Sequence, residues 1–112
     1  MAQETGGPQL SGAERRKLRR LAHPLRPVVQ LGGAGLTGPL VDAIDRALDA
    51  HELIKLKIVR ERDVRRALAD EAAERTGSVV AGMVGQVAIL YRPSSDPERR
   101  RVDPSVGSGG TH

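Results

Sequence analysis

The middle of the chain contains a strand, a glycine-rich turn and the start of a helix in direct succession. Residues 28–39 have the sequence VVQLGGAGLTGP. The β-branched run Val28–Leu31, bounded by Pro27 and a glycine, predicts a short buried strand. Pro39 suits the first turn of a helix, and the apolar residues that follow at helical spacing predict a helix ending near His51. The stretch therefore predicts a strand–turn–helix unit, which is a building block of α/β domains.

Further elements extend this unit in both directions. Upstream, Ser11 and Glu14 form a capping box, which predicts a helix from about Gly12 to His23. Downstream, the patterns predict a strand, a helix and a hairpin of two strands, over Leu53–Val59, Asp63–Thr76, Val79–Val84 and Val87–Tyr91. The order α-β-α-β-α-β-β predicts a compact α/β fold, in which helices cover one four-stranded mixed sheet.

The same patterns predict which side chains face the core. Along Leu53–Val59 the apolar residues alternate with Lys55 and Lys57, so the two lysines are expected on the opposite face of the sheet. In the first helix the inward positions are Leu18, Leu21, Ala22 and Leu25. In the third helix they are Val64, Ala67, Leu68 and Ala72. Tyr91, the only aromatic residue, lies in an apolar strand and is expected to pack in the core.

The composition limits the class of protein. The chain has 112 residues and no cysteine, which predicts one domain and excludes disulfides, thiolate metal sites and a cysteine nucleophile. The three histidines have no metal-ligand spacing, so we expect no metal, no cofactor and no enzymatic activity. Residues 1–9 and 93–112 are expected to be disordered, which leaves a folded domain at 10–92. Without a signal sequence or an apolar span, the protein is expected to be cytoplasmic and not membrane-bound.

The positive charge is concentrated in one early segment. Residues 11–31 contain six Lys or Arg residues and one acidic residue, whereas residues 32–112 contain twelve of each sign. Arg16, Arg19 and Arg20 project from the first helix on the face opposite its leucines. Such a basic stripe is typical of proteins that bind a polyanionic partner. The scarcity of aromatic residues argues against stacking of single-stranded bases.

The glycine-rich turn permits two functional interpretations. Gly33, Gly35 and Gly38 match the dinucleotide-binding fingerprint between a strand and a helix, which predicts a nucleotide-binding α/β module. Alternatively, Gly32-x-x-Gly35 is a loop that lets the backbone approach a sugar–phosphate chain, with the following helix N-terminus favouring a phosphate. A third interpretation is a protein-interaction adaptor that docks its basic helix on an acidic partner.

Three short motifs follow one another along the chain: Leu31–Thr37, Leu53–Lys57, and Val84–Gln86 closing with Leu90–Arg92. In this order they resemble the CRM domain, the chloroplast RNA splicing and ribosome maturation domain, in its stand-alone bacterial YhbY-like form. The resemblance implies an RNA-binding domain similar to the C-terminal domain of translation initiation factor three. It further implies binding to ribosomal RNA of large-subunit precursors during ribosome assembly.

The resemblance also implies where RNA would bind. The family's GxxG loop corresponds to Gly32, Gly33, Ala34 and Gly35. Where the family often has a basic residue after the first glycine this chain has Gly33, so the loop is expected to bind phosphates through its backbone. The further RNA-binding residues predicted from charge are Arg16, Arg19, Arg20, Lys55 and Lys57. The protein is expected to be monomeric when free of RNA.

Overall fold

A computed structural model of the protein describes residues 8–105. The disorder expected at residues 1–7 and 106–112 lies outside this range. The elements are α1 (Gly12–Ala22), β1 (Pro27–Leu31), α2 (Gly38–His51), β2 (Leu53–Ile58), α3 (Arg62–Thr76), β3 (Val79–Val84), β4 (Val87–Tyr91) and a 3-10 turn (Pro97–Arg99). The predicted α/β class and the order of the seven main elements are confirmed. No helix in this part of the chain has the length and apolarity to cross a membrane.

Side chains fix the ends of the helices where the sequence predicts them. Ser11 Oγ accepts a hydrogen bond from Glu14 N at 3.1 Å, and Glu14 Oε1 accepts one from Ser11 N at 2.8 Å, which confirms the capping box. Thr37 Oγ1 accepts from Leu40 N at the start of α2. Gly77 ends α3 with φ +69°, the left-handed conformation that glycine adopts without strain.

The sheet has the strand order β1-β2-β4-β3. β1 and β2 are parallel, whereas β4 is antiparallel to both of its neighbours, β2 and β3. β1, β2 and β3 therefore run in one direction, and the segments that follow them lie at one end of the sheet. We call this the carboxyl end; it comprises residues 32–37, 59–61 and 85–86.

Each face of the sheet has its own core. The inward residues of α2 and α3 pack on Ile54, Leu56 and Ile58, which are all buried. On the other face α1 contributes Leu18 and Ala22 to a cluster with Leu53, Ala81, Ile89 and Tyr91. The predicted alternation along β2 and the packed environment of Tyr91 are confirmed. Burial raises the pKa of the Tyr91 hydroxyl, as expected for a phenol removed from water.

The apolar stripes of the helices are narrower than predicted. Leu21 and Leu25 are 42% and 39% exposed, because α1 buries only the stripe through Leu18 and Ala22 and the helix ends before Leu25. Ala67 is exposed, and α3 instead buries Ala69, Ala72, Ala73 and Thr76. Because alanines occur on more than one face of α3, the sequence does not show which face packs on the sheet.

Residues 93–105 have defined contacts, in contrast to the disorder expected for them. Glu52 is buried, with 2% of its surface exposed, and its carboxylate accepts hydrogen bonds from the backbone N–H groups of Ser94, Arg101 and Val102. Val102 packs against the α1 cluster. These hydrogen bonds join the backbone of the tail to the distant Glu52 carboxylate, so they cannot be predicted from the polar composition of the tail.

Candidate functional site

The glycine loop lies at the carboxyl end of the sheet, between β1 and α2. Gly35 N donates a hydrogen bond to Gly32 O at 3.0 Å, which closes the turn, and Gly35 has φ +71°. A Cβ atom at Gly32 or Gly33 would meet no other atom within 4 Å. Gly33 and Ala34 are exposed. The loop therefore presents its backbone openly to solvent, as close approach of a ligand backbone requires.

The first turn of α2 offers few direct donors to a ligand at this loop. Pro39 has no N–H group, and Leu40 N donates to Thr37 Oγ1 at 3.4 Å. The partial positive charge of this 14-residue helix still favours an anion near its N-terminus. Direct hydrogen bonds, however, would come mainly from the loop amides.

The two lysines of β2 have different environments. Lys57 is exposed and pairs across the sheet with Gln30, two residues before the glycine loop begins. Lys55 is half-buried, and its Nζ donates to the carbonyl oxygens of His23 and Leu25 at 3.0 Å each. Lys55 thus binds the chain where α1 ends, whereas Lys57, opposite Gln30 of β1, is exposed to solvent.

Replacing Lys55 with methionine should lower the free energy of unfolding by about 1 kcal/mol, because two carbonyl groups lose a charged donor. Lys57→Met is the matched control, since Lys57 lies on the same face of β2 but is exposed. Urea denaturation should show the larger loss for Lys55→Met. Equal stability of the two variants would contradict a structural role for the Lys55 amine.

The basic residues of α1 also separate into two groups. Arg16 and Arg20 are exposed. Arg15 Nη1 donates to Val80 O at 2.6 Å, and Arg19 lies flat against Gly82, where a Cβ would approach its Cδ to 2.5 Å. Arg15 and Arg19 therefore hold α1 on the edge strand β3, whereas Arg16 and Arg20 extend into solvent. Helical periodicity predicts Arg19 on the exposed stripe. Nothing in the sequence indicates that Gly82 leaves room on β3 for the Arg19 side chain.

The structure lacks the features that a dinucleotide fingerprint requires. In that motif the third glycine permits close packing of the helix on its strand. At Gly38 a Cβ would meet nothing within 4 Å, so no close packing depends on it. Among residues 8–105 β1 and β2 form the one parallel pair, and β3 and β4 complete the sheet as an antiparallel hairpin. The interpretation based on Gly33, Gly35 and Gly38 is therefore not retained.

Acidic residues and histidines were the other candidates for chemistry in the described part of the chain. Across residues 8–105 no three His, Asp or Glu side chains come together as metal ligands. Glu52 is the one buried carboxylate there, and it is engaged by three backbone N–H groups. Of the site residues predicted from the sequence, the glycine loop and the exposed cations Arg16, Arg20 and Lys57 remain candidates for binding.

Comparison with known proteins gives consistent matches. Residues 10–92 match the family model described as the CRS1 / YhbY (CRM) domain. A Haemophilus influenzae protein described as an RNA-binding protein is 38% identical over 88 residues, which cover 78% of this chain and 89% of that protein. A Pseudomonas aeruginosa protein described as a probable RNA-binding protein is 35% identical over 91 residues, with coverages of 80% and 88%.

A solved structure has the same architecture. The solution structure of a hypothetical Staphylococcus aureus protein, described as an RNA-binding candidate, superposes with a TM-score of 0.73 at 30% identity. The match covers 85% of this chain and all of that one. The family match, the relatives and the shared fold agree with the motifs around the glycine loop, and the chain belongs to the CRS1 / YhbY (CRM) domain family.

Proposed function

We propose that this protein binds RNA, and that its target is ribosomal RNA in precursors of the large ribosomal subunit. The observation that supports RNA binding most strongly is the open glycine loop, whose backbone is accessible. The exposed Lys57 lies opposite Gln30, two residues before this loop begins. The relatives described as RNA-binding proteins support the same class of ligand. The protein acts as a monomer and needs no catalytic group for this role.

Binding occurs through phosphates in this proposal. The amides of Gly33 and Ala34 donate to a phosphate at the loop, and the dipole of α2 adds to the attraction. Lys57 contacts the adjacent backbone. Arg16 and Arg20 provide attraction over a longer range, because exposed charges act over about 10 Å at 0.1 M salt. With Tyr91 buried, recognition depends on the RNA backbone and shape more than on stacking of bases.

Reversing the charge of the two exposed arginines of α1 tests the electrostatic part. Arg16→Glu/Arg20→Glu should weaken binding to ribosomal RNA by about tenfold at 0.1 M salt, because two attractive charges become repulsive. Each phosphate that is no longer neutralised should also remove about 0.7 to 0.9 from the slope of log K against log salt. The matched control is Arg46→Glu/Arg75→Glu, which makes the same change of charge on α2 and at the end of α3. Binding can be measured by fluorescence anisotropy at two salt concentrations.

Three results of this experiment have distinct meanings. A selective loss in the α1 variant supports the proposal. Equal affinities of the α1 and control variants would contradict a role for α1. A wild-type chain without affinity for RNA at low salt would contradict RNA binding altogether and would favour the adaptor interpretation.

The assembly role needs a separate test. In a sucrose gradient of cell extract, the protein should migrate with particles slightly lighter than the mature large subunit. The loop variant Gly33→Asp should shift it to the soluble fraction. A wild-type protein found only in the soluble fraction at low salt would contradict the ribosomal target while leaving RNA binding itself untouched.

A further inference from the structure

A second cationic feature lies at the carboxyl end of the sheet, away from α1. It is an open groove of about 580 Å³ between the first turns of α3 and the β3–β4 turn. The residues that line it are Arg62, Asp63, Arg65, Arg66, Met83 and Gly85. These arginines do not stand out in the sequence, because acidic residues balance their charge along the chain.

Although charges balance along the sequence, the residues that line the groove have an excess of positive charge. Three arginines face one aspartate, Asp63, among its lining residues. Arg62 is exposed, and Arg66 is 62% exposed with a single 3.3 Å contact to Asp70. Glu61 provides no side-chain cap for α3, so the positive end of this 15-residue helix adds to the arginine charges.

Arg65 is held in a fixed position at this groove. Its Nη1 donates to Arg60 O at 2.7 Å, which fixes the guanidinium. Its Nε is enclosed by the protein and has no hydrogen-bond partner in the described part of the chain. The donors that a ligand in the groove can reach are therefore those of the exposed Arg62 and Arg66 beside this fixed guanidinium.

We infer that this groove binds a phosphate group of the RNA backbone, as a second contact beside the glycine loop. The inference rests on the proposed RNA-binding function. A guanidinium fork matches the oxygens of a phosphate, and the lining residues include no aromatic ring on which a base could stack. The glycine loop, the start of α3 and the β3–β4 turn all lie at the carboxyl end. The RNA backbone therefore passes across the ends of the strands.

Neutral substitutions in the groove test this contact. Arg62→Gln/Arg66→Gln should weaken binding to labelled ribosomal RNA by about tenfold at 0.1 M salt and reduce the salt slope by about 1.4 to 1.8. Arg46→Gln/Arg75→Gln is the matched control, because it removes the same charge and Arg75 has an equivalent contact with Glu71 on the same helix. The control should bind within about twofold of wild type.

The outcomes separate this inference from the proposed function. A wild-type chain that binds RNA together with a groove variant that binds equally well would overturn the inference alone. A wild-type chain that does not bind RNA would overturn both. A selective loss in the groove variant, with the control unchanged, supports the inference.

A second measurement avoids substituting Arg65, whose loss could disturb folding. In ¹⁵N–¹H spectra the Arg65 Nε–H signal should shift when RNA is added to the wild-type protein. The Arg75 Nε–H signal should stay in place. An unchanged Arg65 signal under conditions of saturated binding would contradict a phosphate in the groove.

Discussion

Replacing Gly33 with aspartate is expected to weaken RNA binding by about thirtyfold without loss of the fold. A Cβ at this position meets no atom within 4 Å, and Gly33 is not among the residues with positive φ, so a side chain is tolerated. The new carboxylate would lie at the turn whose amides are proposed to hold a phosphate. Two negative charges placed side by side repel each other. Fluorescence anisotropy with ribosomal RNA gives the affinity, and circular dichroism reports the fold.

Two variants at the same position control for size and charge. Gly33→Ala should bind almost as well as the wild type, because it adds a methyl group in open space. Gly33→Lys should bind about fivefold more tightly and steepen the salt dependence by about 0.7 to 0.9, since it adds a cation beside the phosphate. Weaker binding by Gly33→Lys would contradict a phosphate at the loop.

The largest loss of stability is expected at Glu52. Glu52→Ala removes the acceptor of three backbone N–H groups that belong to the tail. Hydrogen bonds to a charged group contribute about 1.5 to 3 kcal/mol, and the freed tail regains contact with water, so we expect a loss of about 3 kcal/mol in the free energy of unfolding. Urea denaturation measures it. In a chain that ends at Arg92 the same substitution should cost much less, and an equal cost would show that Glu52 does not act through the tail.

Glu52 also predicts how stability depends on pH. Burial by itself would raise the pKa of its carboxyl group, but the three backbone N–H donors and the charge of Arg101 outweigh it and hold the pKa below its ordinary value of 4.5. The carboxylate therefore contributes stability that is complete above about pH 4.5 and is lost as the pH falls through the lowered value. Glu52→Gln should be less stable than the wild type near neutral pH, and the difference should shrink in acid.

Local patterns were sufficient to predict most of the fold. The strands Val79–Val84 and Val87–Tyr91 were predicted with the bounds that the structure has, since a short apolar run on each side of a glycine turn leaves few alternatives. The capping box and the glycine end of α3 depend on residues next to each other in the chain. The sheet order required the structure, because nothing in the sequence places β4 between β2 and β3.

The roles of individual cations could not be predicted in the same way. Lys55 and Lys57 are equivalent in sequence, yet only Lys55 lies beside the end of α1. Arg19 packs on the sheet because position 82 has no side chain, a relation across 63 residues that periodicity does not show. The contacts of residues 93–105 could not be predicted for a related reason. Their partner is Glu52, a single residue whose positive φ of +68° has no clear signature in sequence.

The position of β4 has a consequence for how the protein folds. β4 is the last strand along the chain but lies in the interior of the sheet, where it joins β2 to β3. A nascent chain that lacks residues 87–91 cannot pair β3 with the rest of the sheet, and it leaves the edge of β2 open. Open edges invite pairing with other chains. Folding must therefore wait until nearly the whole domain has been synthesised, and it should then proceed as one cooperative step dominated by contacts between distant residues.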